Sequence, residues 1–216
     1  MAWNEVLDPF GGSGTIFLRA WETNPKAESS NLSGSPNPIF LQVGPMPKRK
    51  QPVGSPHMEL KLMPHLVPKP LWGKSAANLL KRADWEGIRR EALQTARHVC
   101  QVCSDAALGS ALTCHELWDY DDKRGTATLV GLRMQCRSCD SAVHMGRAVK
   151  RGFGRVALAQ LVKVNGIDPR EAKLLYGTAM DEWKRRNKKQ WRIVVAKPLL
   201  ERYSELAILE QIGRES

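Results

Sequence analysis

Two pairs of cysteines, Cys100-x-x-Cys103 and Cys136-x-x-Cys139, bracket the middle of this sequence, with 32 residues between them. Zinc prefers four soft ligands in a tetrahedron, and two C-x2-C turns supply them at low chain cost. The spacing therefore predicts a structural Zn²⁺ held by Cys100, Cys103, Cys136 and Cys139. Inside the bracket a strand-like segment, residues 111–118, carries His115. Just past the second pair, Asp140 and His144 stand four residues apart, which puts them on one face of a helix. The expected zinc thus staples a hairpin to a helix, with a second polar cluster where the two meet. The fifth cysteine, Cys114, sits beside His115 and points to the opposite face of its strand. It reads either as a buried structural thiol or, if the strand is kinked there, as a cation ligand.

In this order the residues resemble the HNH endonucleases, in which a ββα-metal unit sets a histidine on a strand and metal ligands on the following helix. The resemblance implies that His115 is a general base and that Asp140 and His144 hold a catalytic cation, with Cys114 as a further ligand if its strand allows. This chain has Asp140 where the family has a His after the second knuckle, and Gly131 near the place of the family's Asn. No Asn lies between Cys100 and His144; Asp119, Asp121, Asp122 and Gln135 are the side chains close enough in sequence to substitute. The segments LVPKPLWGK, DWEGIRREAL, GRAVKRGF and EWKRRNKKQW extend the resemblance to a phage- and bacteria-associated subgroup, over about residues 58–216. It implies hydrolysis of DNA to 5′-phosphate and 3′-hydroxyl ends. A histidine titrates near neutral pH and can take the proton of a water, while a hard cation stabilises the leaving oxygen. Mg²⁺ or Mn²⁺ suits that site; Zn²⁺ or Ni²⁺ is favoured if Cys114 ligates. Two other readings stand beside it. One is a non-catalytic zinc-stabilised DNA-binding module, with the absent Asn marking lost activity. The other is a component of a restriction-modification system.

These side chains need elements to position them. The prolines of residues 58–75 enforce an extended N-terminal arm, anchored by Leu71 and Trp72. Asp84 is expected to cap a helix running to about residue 97, with Trp85, Ile88, Ala92 and Leu93 on its packed face. Residues 121–125 read as the turn of a hairpin and 126–134 as its second strand, with Trp118 and Tyr120 as packing residues. Glu116 is a carboxylate that either orients His115 or the metal, or lies at the surface. One helix is expected from Cys139 to about Val149, with Arg147 and Lys150 near one end of the site, where a scissile phosphate needs neutralising. A second helix stops at Asn165-Gly166, and a third starts at Asp168-Pro169, capped by Asp168. Leu175, Ala179 and Trp183 form its buried stripe. It runs into the densest basic stretch of the chain, Lys184, Arg185, Arg186, Lys188, Lys189 and Arg192, whose sign suits contact with phosphate. A short strand and a closing helix docked by Leu199, Leu206 and Leu209 follow. The fold class expected is α+β: a ββα unit stapled by a four-cysteine zinc site and surrounded by helices.

The charge agrees in sign with a nucleic-acid partner. Lys and Arg number 33 and Asp and Glu 22, a net +11. Only five basic and four acidic residues precede residue 58, so the rest of the chain carries +10 of that charge. No run of about 18 apolar residues occurs, so no membrane span is expected. No basic start followed by an apolar stretch marks a secretory signal, so the expected setting is cytoplasmic. Cysteines there serve as metal ligands more readily than as disulfides. No small-molecule substrate is expected. Residues 1–57 differ in kind. DPFGGSGT resembles the S-adenosylmethionine loop of the DNA amino-methyltransferases, but no complete doubly wound sheet fits in this segment, which reads as a remnant. A linker rich in Pro, Ser and Gly follows it. Met58 begins the second region.

Overall fold

The turn Asp121-Asp122-Lys123-Arg124-Gly125 folds the middle of the chain back on itself. In the computed structural model, which describes residues 60–105 and 112–213, the Asp121 carboxylate accepts the backbone N–H groups of Lys123 and Arg124, both at 2.9 Å. Gly125 closes the turn at φ +62°, and a Cβ there would stand 2.9 Å from the Gln190 carbonyl oxygen, so glycine is required twice over. The strands it joins, β1 (Leu112–Asp121) and β2 (Thr126–Cys136), pair antiparallel. A third strand, β3 (Arg192–Val195), adds parallel to β2, but only along Thr126 to Leu129. The order is therefore β1-β2-β3. Among the described residues, no strand lies on the second edge of the cysteine-bearing end of β2.

Val130 is the extra residue of a β-bulge. The pairing passes from Trp118 opposite Leu129 to Leu117 opposite Gly131, which leaves Val130 without a counterpart. A bulge reverses the alternation of the strand that carries it. Before it, Ala127 and Leu129 join one apolar core cluster; after it, Leu132 does. Arg133 and Gln135 are thereby set opposite His115 and Thr113.

Eight α-helices accompany the sheet among the described residues, in a mixed α+β fold. Ahead of the hairpin lie α1 (Ala76–Leu79) and α2 (Arg82–Thr95). Helix α2 starts before Asp84, which sits in its first turn instead of capping it. Ile88 and Ala92 are buried, and Trp85 packs half-buried on the core. After β2 come α3 (Arg137–Val143) and α4 (Met145–Lys150), where the sequence predicts one helix. The break is at His144, at φ −88° and ψ 42°. Helix α5 (Gly154–Asn165) ends on Gly166 in the left-handed conformation, as its Asn-Gly signal predicts. Asp168 caps α6 (Pro169–Arg186), accepting the N–H groups of Arg170 at 2.7 Å and Glu171 at 2.9 Å. The closing segment is two helices, α7 (Lys197–Arg202) and α8 (Ala207–Ile212), because Tyr203 leaves the helical conformation between them and is buried in the core. None of these helices is long and apolar enough to cross a membrane.

One apolar core cluster gathers Leu71, Ile88, Tyr120, Leu129, Trp191, Ile193, Leu206 and Leu209 from both ends of the described chain. The extended arm is strapped onto the helices. The Asn165 side chain satisfies both the N–H and the C=O of Leu62, at 3.0 and 2.6 Å. The Val67 carbonyl accepts the indole N–H groups of Trp72 and Trp183, at 2.9 and 3.0 Å. Leu71 is buried as expected, but Trp72 is 60% exposed and its indole bond stays within the arm, so the tie to α6 is the one from Trp183.

Candidate metal centre and active site

The first cysteine pair docks on the edge of β2 that β3 leaves open. Gln101 donates its N–H to the Met134 carbonyl at 2.9 Å, and its side-chain oxygen accepts the Met134 N–H at 2.8 Å. The second pair spans the junction where β2 runs straight into α3, with Cys136 as the last residue of the strand and the N-cap of the helix. The four Sγ atoms of Cys100, Cys103, Cys136 and Cys139 lie within 4.8 Å of one another. No disulfide joins them. Bonds of about 2.3 Å in a tetrahedron place sulfurs about 3.8 Å apart, and the Cys103 and Cys136 Sγ atoms are 3.8 Å apart.

The surroundings suit a charged tetrathiolate. The Cys136 N–H donates to Cys100 Sγ at 3.3 Å, and Gln160 Nε2 to Cys139 Sγ at 3.2 Å. Burial pushes the Cys100 thiol up, but the backbone N–H groups of Cys103, Cys136 and Val102 outweigh it and bring it down to about 7. Burial prevails at Cys103, pushed up to about 11, and at Cys139. Arg133 supplies the clearest sign. Its guanidinium is buried, and among the described residues no carboxylate pairs with it. Burial lowers its pKa and the neighbouring Cys100 and Cys139 raise it. A buried cation is costly unless an anion compensates it, and four thiolates around Zn²⁺ carry a net negative charge. The four cysteines fit a metal ion such as zinc.

The adjacent residue, Asp140, turns the other way. Its Oδ1 lies 3.7 Å from His115 Nδ1 and 3.7 Å from His144 Nε2. The two imidazoles meet edge to face, with centroids 4.9 Å apart. One donor atom from each of His115, Asp140 and His144 falls within a 4.8 Å group. Asp140 is anchored on both oxygens: Gln135 Nε2 donates to Oδ1 at 3.1 Å, and Arg147 Nη2 to Oδ2 at 3.0 Å. Gln135 is fully buried and in turn accepts from Arg133 Nε at 3.2 Å. A hydrogen-bonded chain thus runs from Arg133, which feels the charge of Cys100 and Cys139, through Gln135 to Asp140. Burial raises the Asp140 carboxyl, but His115, His144 and Gln135 win and hold it at about 2. Burial, reinforced by His115, lowers His144 to about 4 against the opposing pull of Asp140. At neutral pH Asp140 is ionised and His144 neutral, the forms in which each binds a cation.

The break at His144 belongs to this geometry. His144 still receives the helical bond, its N–H to the Asp140 carbonyl at 2.9 Å. As the joint between α3 and α4 it sets its ring against His115, while α4 carries Arg147 back to Asp140. Lys150, at the end of α4, is exposed.

Cys114 is not brought into this cluster. Strand alternation turns it to the face opposite His115, where burial and the charge of Glu116 push its thiol up to about 12. Glu116 lies on that same face. It accepts the N–H of Ala76 at 2.7 Å and the indole N–H of Trp118 at 3.0 Å, so it holds α1 to the sheet and does not touch His115. Asp121 and Asp122 are committed to the turn and to Arg186, which leaves Gln135 as the side chain that meets Asp140.

The basic stretch divides. Arg186 is 7% exposed, makes a two-nitrogen pair with Asp122 and covers the Tyr120 ring at 4.5 Å. This corrects the expectation that it meets phosphate: its charge is spent inside the fold. Lys189 also pairs with Asp122, at 3.5 Å, and Lys184 pairs with Asp181 at 3.2 Å. Arg185, Lys188 and Arg192 are exposed. Arg133 was not marked by the sequence as part of a site, because an arginine on a half-buried strand reads as a surface residue until the bulge is known.

Comparison of the chain with protein-family models, with curated proteins and with solved structures finds no match.

Proposed function

We propose that this protein is a metal-dependent endonuclease of the HNH type that hydrolyses DNA phosphodiester bonds. One observation carries the reading. A strand histidine, His115, meets an aspartate and a histidine of the helix that directly follows the hairpin, with their donor atoms within 4.8 Å. A cysteine cluster braces the same hairpin and helix. The set supplies both a proton acceptor and ligands for a cation, as phosphodiester hydrolysis requires.

Asp140 and His144 would hold a divalent cation, which when bound supplies positive charge to the leaving oxygen. Because Cys114 lies on the other face, the thiol argument for Zn²⁺ or Ni²⁺ does not apply, and oxygen-preferring Mg²⁺ or Mn²⁺ is the better match to the Asp140 carboxylate. His115 accepts the proton of the attacking water as the new P–O bond forms and the P–O3′ bond breaks. The departing 3′ oxygen takes a proton from solvent, leaving a 5′-phosphate and a 3′-hydroxyl. The place of Asp140 is fixed by Gln135 and Arg147, which hydrogen-bond to its two oxygens. Arg147, with a half-exposed side chain, and Lys150 would present positive charge to the phosphate. Arg185, Lys188 and Arg192 would extend that contact along the backbone.

The test is relaxation of supercoiled plasmid by the zinc-loaded full chain with added Mg²⁺ or Mn²⁺. Nicking that His115→Ala abolishes supports the reading. Binding of DNA without metal-dependent cutting replaces it with the non-catalytic module.

A further inference from the structure

Between α4 and α5 the sequence reads Lys150-Arg151-Gly152-Phe153-Gly154-Arg155-Val156, and the two glycines do different work. Gly152 adopts φ +82°, which a side chain disfavours. Gly154 is buried so tightly that a Cβ would stand 2.9 Å from Val149 Cγ2. The backbone between them is pinned, with the Phe153 N–H donating to the Ala148 carbonyl at 2.8 Å and the Ala157 N–H to that of Phe153 at 3.1 Å. This rigid turn holds an aromatic ring out in solvent. Phe153 and Val156 are each 61% exposed.

The segment that carries them is of one sign. From Ser141 to Ile167 the sequence contains five basic residues and no acidic one. Arg147, Lys150, Arg151 and Arg155 are all exposed around the turn. An apolar tip ringed by cations complements a ligand that is anionic outside and flat and apolar within, which describes a nucleic-acid strand: phosphates for the arginines, base faces for the ring. The position also fits. Helix α4 has six residues and so spans about 9 Å, or two to three nucleotides at about 3.4 Å each. It begins at the His144 joint and ends just before Phe153.

We propose that Phe153, with Val156 beside it, is a wedge that stacks on a base of the bound DNA two to three nucleotides from the scissile phosphate. This rests on the nuclease reading of the His115 cluster, and the experiment separates the two. Binding of a DNA duplex carrying 2-aminopurine is measured with the full chain, without added Mg²⁺ or Mn²⁺, over a range of salt. Phe153→Ala should weaken binding about ten- to a hundredfold, the scale of one lost base–aromatic stack, and should abolish the fluorescence rise that reports an unstacked base. The salt slope should not change. Phe153→Trp should stay within about twofold of the parent, the range of a neutral surface substitution. Arg151→Gln and Arg155→Gln should instead each flatten the salt slope by about one. If the parent binds and cuts DNA while Phe153→Ala binds within about twofold of it, the wedge is wrong and the nuclease stands. If the parent neither binds nor cuts DNA, the nuclease reading falls and the wedge with it. Loss on Phe153→Ala of binding to phosphatidylserine vesicles, with DNA affinity intact, would assign the tip to a membrane surface and overturn the proposal.

Discussion

The proposed mechanism gives His115 one role and Asp140 and His144 another, and substitutions should separate them. His115 lies on the sheet and touches the helix only through Asp140 and His144. His115→Ala should therefore keep its zinc and its DNA affinity but cut at least about 10²-fold more slowly, the usual scale for a lost general base. Single-turnover nicking checks this; an unchanged rate removes His115 from the mechanism. Asp140→Ala or His144→Ala would, on that proposal, take away a cation ligand, so activity should fall and partly return at high Mn²⁺. Gln135 makes a sharper case because it is fully buried with a partner at each end, Arg133 and Asp140. Gln135→Leu leaves the Arg133 guanidinium without its partner and takes one anchor from Asp140, which should cost about 1–3 kcal/mol in urea unfolding. An unaltered midpoint would show that the polar chain carries no stability. The cysteine pairs were legible because their spacing is the chemistry, whereas His115 was joined to Asp140 and His144 by a resemblance in their order along the chain, and the three donor atoms do lie within 4.8 Å of one another. Arg133 and the service of Gln135 were not, since both depend on which face of β2 each side chain takes, and the bulge at Val130 decides that.

Elements that end on strong local chemistry were legible: the Asp121 turn with Gly125, the Asn165-Gly166 stop and the Asp168-Pro169 start all lie where their side chains dictate. Elements interrupted by tertiary contacts were not. The helix expected from Cys139 to Val149 breaks at His144, in the middle of the polar cluster, and the closing helix breaks where Tyr203 leaves it for the core. The end of α6 shows the same limit. Its basic run looks like one charged face, yet Arg186 folds inward to tie α6 to the hairpin turn through Asp122. Asp122→Asn leaves the buried guanidinium with only Glu182, at 3.6 Å, for compensation. The loss should be about 1–3 kcal/mol, below the full value for a buried pair because Asp122 itself is open to solvent. Burial raises the Asp122 carboxyl, but Arg186 and Lys189 hold it below its ordinary 3.8. A depressed acid contributes stability above its unfolded pKa and loses it as pH falls through the lower folded value. The gap between parent and Asp122→Asn should be constant above about pH 4 and close below it. A gap independent of pH would show that the pair is not its source.

At the scale of the described fold the cysteine cluster and the apolar cluster around Trp191 lie at opposite ends of the hairpin. That cluster gathers Leu71, Trp191, Ile193 and Leu209 at the turn end, and none of the four clustered cysteines belongs to it, while Cys100, Cys136 and Cys139 are buried at the other end with Met134. The sequence showed the metal knuckles and the flanking helices but not this division, which follows from β3 pairing only as far as Leu129. What joins the two ends is the hairpin itself, since β1 and β2 run unbroken from the core to Cys136. Loss of metal therefore acts on both. With the thiols protonated, Arg133 becomes a buried cation without an anion, the Gln101 docking loses its anchor, and the β2–α3 junction that carries Asp140 is freed. Metal affinity is folding free energy wherever the ligands come together only in the native state. Stripping zinc with a chelator should thus unfold the chain as one unit, and Cys103→Ser or Cys136→Ser should yield insoluble or unfolded protein. The decisive readout lies far from the cysteines. Arg192 and Ala196 donate their N–H groups to the carbonyls of Gly125 and Leu129 at the turn end of the hairpin, at 2.8 and 2.9 Å, and these backbone amides should lose protection from hydrogen exchange at the same chelator concentration that releases the metal. Protection that persists after the zinc has gone would show two separable halves. Well-folded protein purified without zinc would remove the metal from the fold altogether.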